Sequence, residues 1–165
     1  MIDKQYWIDK LGLVPHQEGG FYKELPASND WLADKNRPLY TNIYFLLTED
    51  SPSHFHQLTA DEVWYFHYGS SLKVHELRKD GSYKETSVGV DIEQGDVLQY
   101  VVEKGSIFGS SVAKGDAYAL VSCMVAPGFT FEDFKLFTKE ELLEKYPAND
   151  EIINRLAYEK INNKF

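Results

Sequence analysis

Two histidines one residue apart, followed by a glutamate, are the part of this chain best suited to chemistry: His54-Phe55-His56-Gln57-Leu58-Thr59-Ala60-Asp61-Glu62, closed by Gly69. Side chains at i and i+2 of a strand share a face, so both imidazoles can meet one ion or one substrate. Glu62 opens a second strand-like run, Glu62-Val63-Trp64-Tyr65-Phe66-His67-Tyr68. A hairpin through Gln57 to Asp61 would set its carboxylate beside the two rings. Two histidines and one carboxylate with open positions form the facial set of non-haem iron and of other divalent metals. Fe, Mn, Ni or Zn held by His54, His56 and Glu62 would polarise a carbonyl or activate water or oxygen. Without a metal, His54 or His56 would take a proton from a carbonyl compound such as a sugar, and a pocket tyrosine or acid would return it, because imidazole titrates near neutrality. A third reading is a binding module with no chemistry. The plainest is a pair of hydrogen-bonded strand histidines with Glu62 at a solvated strand end. Alternation puts Trp64 and Phe66 on the face of Glu62 and turns Tyr65 and His67 away, giving the site an aromatic wall of the kind that small-molecule pockets use.

The elements that must position these residues are mostly strands. Residues 40–47, 72–77, 83–89, 97–102, 107–112 and 117–125 are short runs rich in aromatic and β-branched residues. Lys79-Asp80-Gly81-Ser82 carries an Asp-Gly hairpin signal, and Gly109, Lys114-Gly115-Asp116 and Pro127-Gly128 punctuate the rest. Many short strands without alternating helices predict a sandwich, barrel or jelly roll. Helices are confined to the ends. Residues 3–11 form one, with Asp3 as N-cap and Gly12 as stop. Thr138-Lys139-Glu140-Glu141 is a capping box that opens a helix through Lys145. Residues 149–160 form another, with Ile152, Ile153, Leu156 and Ala157 as its apolar stripe against the sheet. Nothing splits the 165 residues, which are expected to form one domain.

The blocks that carry this pattern resemble the DUF985 (cupin_5) group of the cupin superfamily. Leu11-Gly12-Leu13-Val14-Pro15-His16-Gln17-Glu18-Gly19-Gly20-Phe21-Tyr22 is similar to its opening segment. Residues 43–47, 53–56 and 61–64 are similar to its central block. Residues 125–129 with Asp133-Phe134 resemble its closing strands, and residues 140–143 with Tyr146-Pro147 its tail. The resemblance covers nearly the whole chain. It implies an all-β cupin double-stranded β-helix, or jelly roll, with a short N-terminal helix and C-terminal helices, a homodimer, and a small-molecule site inside the barrel. It does not imply a reaction, since cupins include metal-dependent oxygenases, isomerases and epimerases, storage proteins and ligand-sensing domains. Glu18, Tyr22 and Lys23 fall in a segment resembling the group's E-G-G-x-Y/F-x-R/K-E. That block is expected either to close over the barrel and contact a ligand or to serve structurally, with Glu24 paired to a cation. Lysine at 23 lacks the bidentate fork of the arginine common there. The second cupin motif departs from the general pattern. Glu103 stands where proline is usual, and Phe108 stands where a fourth metal ligand would be. That leaves a three-ligand site or none, with Phe108 as part of the pocket wall.

Composition removes some functions. The formal net charge is −9 and the pI about 5.0, and no basic stripe is present to meet nucleic-acid phosphates or anionic lipid. No apolar run approaches a membrane span, and no secretory signal opens the chain. Cys123 is the only cysteine; within an apolar run it reads as a buried hydrophobe, and a chain without disulfides fits the cytoplasm. His16 and His75 read as structural, Asp61 as a carboxylate that orients an imidazole, and Phe129, Phe131 and Phe134 as core.

Overall fold

The computed structural model describes residues 2–115 and 117–162. Chain order runs α1 (Lys4–Leu11), β1 (Val14–Pro15), β2 (Phe21–Leu25), β3 (Trp31–Leu32), β4 (Arg37–Pro38), β5 (Thr41–Thr48), β6 (Ser53–Gln57), β7 (Asp61–Gly69), β8 (Leu72–Leu77), β9 (Tyr83–Val88), β10 (Gln99–Val102), β11 (Ile107–Val112), β12 (Tyr118–Ala126), β13 (Lys135–Leu136), α2 (Lys139–Lys145) and α3 (Asp150–Leu156). One sheet has the order β1-β2-β5-β12-β7-β10, and the facing sheet β13-β6-β11-β8-β9. All their pairings are antiparallel. From β5 to β8 the chain changes sheet at every strand. That crossing makes the jelly roll expected from the strand pattern.

Alternation then sorts the side chains. Phe45, Leu47, Trp64, Leu72, Val74, Phe108 and Val121 fill the space between the sheets. On the outside of the five-stranded sheet, Phe55, Leu77 and Ile107 are covered by Leu142, Ile153 and Leu156 of α2 and α3. On the outside of the six-stranded sheet, Leu46 and Leu120 are covered by Trp7, Ile8 and Leu11. Burying such side chains is worth about 1.5–3 kcal/mol each, so the terminal helices belong to the stability of the barrel.

Helix ends follow the expected signals. The Asp3 side chain accepts the Tyr6 N–H at 2.8 Å, and Gly12 closes α1 at φ 66°. Thr138 and Glu141 form a full capping box on α2. Arg78 N–H bonds Ser82 O at 2.9 Å across the Asp80-Gly81 turn between β8 and β9.

Two expectations are corrected. The last helix ends at Leu156 rather than residue 160, because Tyr158 leaves the helix and pairs with Thr138 in a parallel bridge. There Lys139 N–H bonds Tyr158 O at 2.9 Å. The connection between β6 and β7 is not a hairpin. β6 pairs with β11 and β13, whereas β7 pairs with β12 and β10. Its three residues, Leu58 to Ala60, cross from one sheet to the other, so Glu62 approaches the histidines from the opposite wall.

Candidate functional site

The site begins at a turn. His16 N–H bonds Gly20 O at 3.0 Å and Gly19 N–H bonds His16 O at 3.1 Å, folding His16–Gly20 tightly. Gly19 has φ 102°, and a Cβ there would fall 1.8 Å from Pro52 O. Only glycine tolerates both the conformation and the approach. The turn can therefore lie directly on β6, where the Glu18 carbonyl accepts the His54 N–H at 2.6 Å and the His54 Nδ1–H at 2.8 Å. This clamp drops the Glu18 side chain into the interior, where it is 6% exposed. Ser53 Oγ donates to Glu18 Oε1 at 2.9 Å. Glu18 Oε2 lies 3.4 Å from His56 Nε2 and 3.8 Å from His16 Nδ1.

From the facing sheet, β7 and β12 contribute Glu62 and Cys123, whose neighbours in register are Val125 and Trp64. Glu18 and Glu62 both line a cavity of about 280 Å³, with His16, Tyr22, Glu24, Ile43, Leu58, Cys123, Phe129 and Phe131 among its other walls. Its size is close to the lower end of small-molecule pockets, roughly 300–1,000 Å³.

Burial dominates the electrostatics. Glu62 is pushed up to about 8, first by desolvation and then by the like charge of Glu18, while the Cys123 thiol, donating to it, pulls the other way. Glu18 is also raised by burial, with His16 and the Ser53 hydroxyl opposing. His56 is lowered to about 4 by burial. Its Nδ1–H donates to His54 O at 2.7 Å, which leaves Nε2 as an acceptor facing Glu18. His16 is lowered by burial as well, and its Nδ1 accepts the Glu18 N–H at 3.1 Å. Cys123 is held well above the usual thiol range by burial and by the two carboxyls. The cavity thus presents two carboxyls that resist ionisation, with the His16 imidazole beside Glu18 on the wall and the His56 imidazole behind it.

The structure brings together Glu18, Tyr22 and Glu62 of the residues singled out by sequence. His54 and His56 line no part of the cavity. His54 is tied to the Glu18 carbonyl, and its ring stacks on Tyr158 at 3.8 Å with a 15° interplanar angle. His56 sits one layer deeper, under the Phe108 ring at 4.2 Å. Trp64 and Phe108 are fully buried core, and Phe66 packs against that core. Lys23 is exposed and lies on the other face of β2, opposite Tyr44, because alternation that turns Tyr22 and Glu24 inward turns it out. Asp61 orients no imidazole; its Oδ1 accepts the Lys104 N–H at 2.8 Å. His16, Glu24, Phe129 and Phe131 are cavity residues that sequence reasoning assigned elsewhere, and Tyr158 was not singled out. For Glu24 the signal was present, since it alternates with Tyr22.

The expected three-ligand centre does not fit this arrangement. Among the described residues no group of three or more His, Cys, Asp or Glu side chains is placed to hold a metal ion. The His54 ring is stacked on Tyr158 and His56 Nε2 faces Glu18 Oε2, and neither histidine lines the cavity that Glu62 lines.

A family model described as Cupin superfamily (DUF985) matches residues 5–137. A hypothetical protein from Leishmania major is 42% identical, with a TM-score of 0.90 over 95% of this chain and 99% of that one. Protein SO0799 from Shewanella oneidensis is likewise 42% identical, with a TM-score of 0.91 over 97% of this chain and 100% of its own. The uncharacterized protein YML079W of Saccharomyces cerevisiae is 29% identical over 93% of this chain and 84% of its own length. Oxalate decarboxylase from Bacillus subtilis is 14% identical, with a TM-score of 0.56 over 89% of this chain and 37% of that one, a likeness of fold alone. No helix among the described residues is long and apolar enough to cross a membrane.

Proposed function

Because the chain belongs to the DUF985 family of the cupin superfamily, whose fold commonly encloses a small-molecule site, we propose that its cavity binds a small carbonyl compound and moves a proton within it, as a metal-independent isomerase or epimerase. The observation that carries this reading is the pair of buried carboxyls, Glu18 and Glu62, on the wall of one largely apolar cavity. Two buried carboxyls on one wall, where the charge of Glu18 helps to hold the proton on Glu62, give one proton acceptor and one proton donor, the arrangement that proton-transfer chemistry requires. Glu62 is the acid, since it keeps its proton to about pH 8. Glu18 is the base, its carboxylate form stabilised by Ser53 Oγ.

In the forward step Glu18 takes the proton on the carbon next to the substrate carbonyl, and Glu62 gives its proton to the carbonyl oxygen. The product is a neutral enol, with Glu18 protonated and Glu62 ionised. In an α-hydroxy carbonyl compound this enol is an enediol: Glu18 returns its proton to the former carbonyl carbon while the hydroxyl on the other carbon gives its proton to Glu62, which isomerises the compound. Return of a proton to the other face of the original carbon, with the enol O–H proton going back to Glu62, epimerises it. His56 faces Glu18 Oε2 and is a positioning residue, and Tyr22 walls the cavity. The donor set speaks against routing this chemistry through a metal.

The test is exchange of carbon-bound hydrogen with D₂O, followed by NMR over a panel of small ketones and aldoses. Exchange in the wild type that is lost in Glu18→Gln and Glu62→Gln supports the reading. Exchange that survives both substitutions, or none in any compound that binds, overturns it and leaves a binding module.

For the assembly we propose a homodimer through the outer face of the six-stranded sheet, where half-exposed Tyr44, Val63, Tyr65 and Met124 and exposed Val101 lie beyond the cover of α1. Sedimentation of wild type against Tyr65→Asp checks it.

A further inference from the structure

Resting on that reading, we propose that the substrate carries a positive charge, a protonated amine, at the end nearest the cavity mouth, and that Glu24 is the residue that selects it. Three carboxyls, Glu18, Glu24 and Glu62, line the cavity. Among the described residues no lysine or arginine lines it. Lys23, between Tyr22 and Glu24 in the chain, is turned to the other face of β2 by alternation. An anionic ligand would meet like charge on the wall and find no cation to offset its desolvation.

Glu24 differs from the two deep carboxyls. It is exposed, it stands opposite Ile43 in register, and both side chains wall the cavity. Among the described residues its side chain has no hydrogen-bond or ion-pair partner, so its charge is free for a ligand. Phe129 and Phe131 stand at the same cavity, edge to face with centroids 5.0 Å apart, and Phe131 is 50% exposed. Aromatic faces beside a carboxylate favour an ammonium group further.

Deeper in, Glu62 is 5% exposed. Its hydrogen-bond partner among the described residues is the Cys123 thiol, a weak donor. Most of its acceptor capacity therefore faces the cavity without a protein partner. A ligand with a carbonyl to receive the Glu62 proton and an ammonium toward Glu24 satisfies both ends at once.

The experiment uses three carbonyl compounds of one skeleton and different charge: α-aminoacetophenone, α-hydroxyacetophenone and phenylglyoxylate. Binding is measured by NMR titration on the wild type, Glu24→Gln and Glu24→Lys, each checked for native circular dichroism. The ammonium compound should bind about fivefold tighter than the alcohol, the range of an exposed charge pair, and the carboxylate weakest. Glu24→Gln should bring the first two within about twofold, and Glu24→Lys should move the preference toward the carboxylate. A wild type that binds the carboxylate as well as the amine, a gap that survives Glu24→Gln, or no binding of any of the three overturns the proposal. The charge order is read from binding alone. A correct order without deuterium exchange would therefore sink the proton-transfer reading and leave this inference standing.

Discussion

Replacing Glu62 with glutamine should flatten the pH dependence of stability. In the wild type the Glu62 carboxyl moves from its usual 4.5 to about 8 on folding. A group whose affinity for the proton rises on folding contributes stability that is fully present below about pH 4.5. That contribution is lost progressively as pH rises to about 8, because the unfolded chain ionises first. At about 1.4 kcal/mol for each tenfold change in proton affinity, the full span is roughly 5 kcal/mol. Most of it is lost between pH 5 and pH 8. Glutamine keeps the shape and cannot ionise. Its amide adds buried N–H donors that cost about 1–3 kcal/mol if unpaired, but that offset does not vary with pH. The quantity to measure is therefore the wild-type minus variant difference at pH 4.5, 6.5 and 8, from urea unfolding followed by tryptophan fluorescence. Trp64, fully buried between the sheets, reports the loss of the core. The variant should gain on the wild type by a few kcal/mol across that range. Parallel curves would mean that Glu62 titrates like an exposed carboxyl, and would remove the basis of its assignment as the acid.

The other expectations follow from the same geometry. Exchange activity should fall above about pH 8, as Glu62 loses the proton it donates, and should fall again on the acid side as Glu18 becomes protonated at a pH above the usual carboxylate range; a flat profile from pH 5 to 9 in a deuterium-exchange assay would count against the pair. Gly19→Ala should destabilise by more than about 2 kcal/mol, because the new Cβ meets Pro52 O at 1.8 Å on a φ of 102°; thermal unfolding checks it, and a change within about 0.5 kcal/mol would show that the turn does not lie on β6 as described. Protein purified without chelator should hold well under one equivalent of Fe, Mn, Ni or Zn by elemental analysis, with exchange indifferent to EDTA; one equivalent of a single metal, lost in His54→Ala/His56→Ala, would restore the metal-centred reading.

Much of the fold was legible because its signals are local. The Asp80-Gly81 turn, the Thr138-Glu141 capping box and the Gly12 stop each act over a few residues, and each is realised. Alternation also made faces readable. It puts Trp64 inside with Glu62 and His67 outside, where His67 Nε2 meets Ser122 Oγ at 2.5 Å. The helix end at Leu156 was not legible, because the apolar stripe continues through Ala157 and only the bridge to Thr138 cuts the helix short.

The candidate site divides along the same line. Sequence alone determined that Glu18 precedes two glycines, that Trp64 shares the face of Glu62, and that Phe108 removes a donor from the interior. Period and backbone sterics fix such things within a few residues. Only the tertiary structure decided that β6 and β7 join opposite sheets, that His54 turns under Tyr158, and that Glu18 and Glu62 meet across one cavity. Alternation says which side of a strand a residue faces, but which sheet the strand joins depends on pairing with segments as distant as β11 and β12. The acidity of Glu62 in turn depends on burial by both sheets and on the charge of Glu18, which no short stretch of sequence contains.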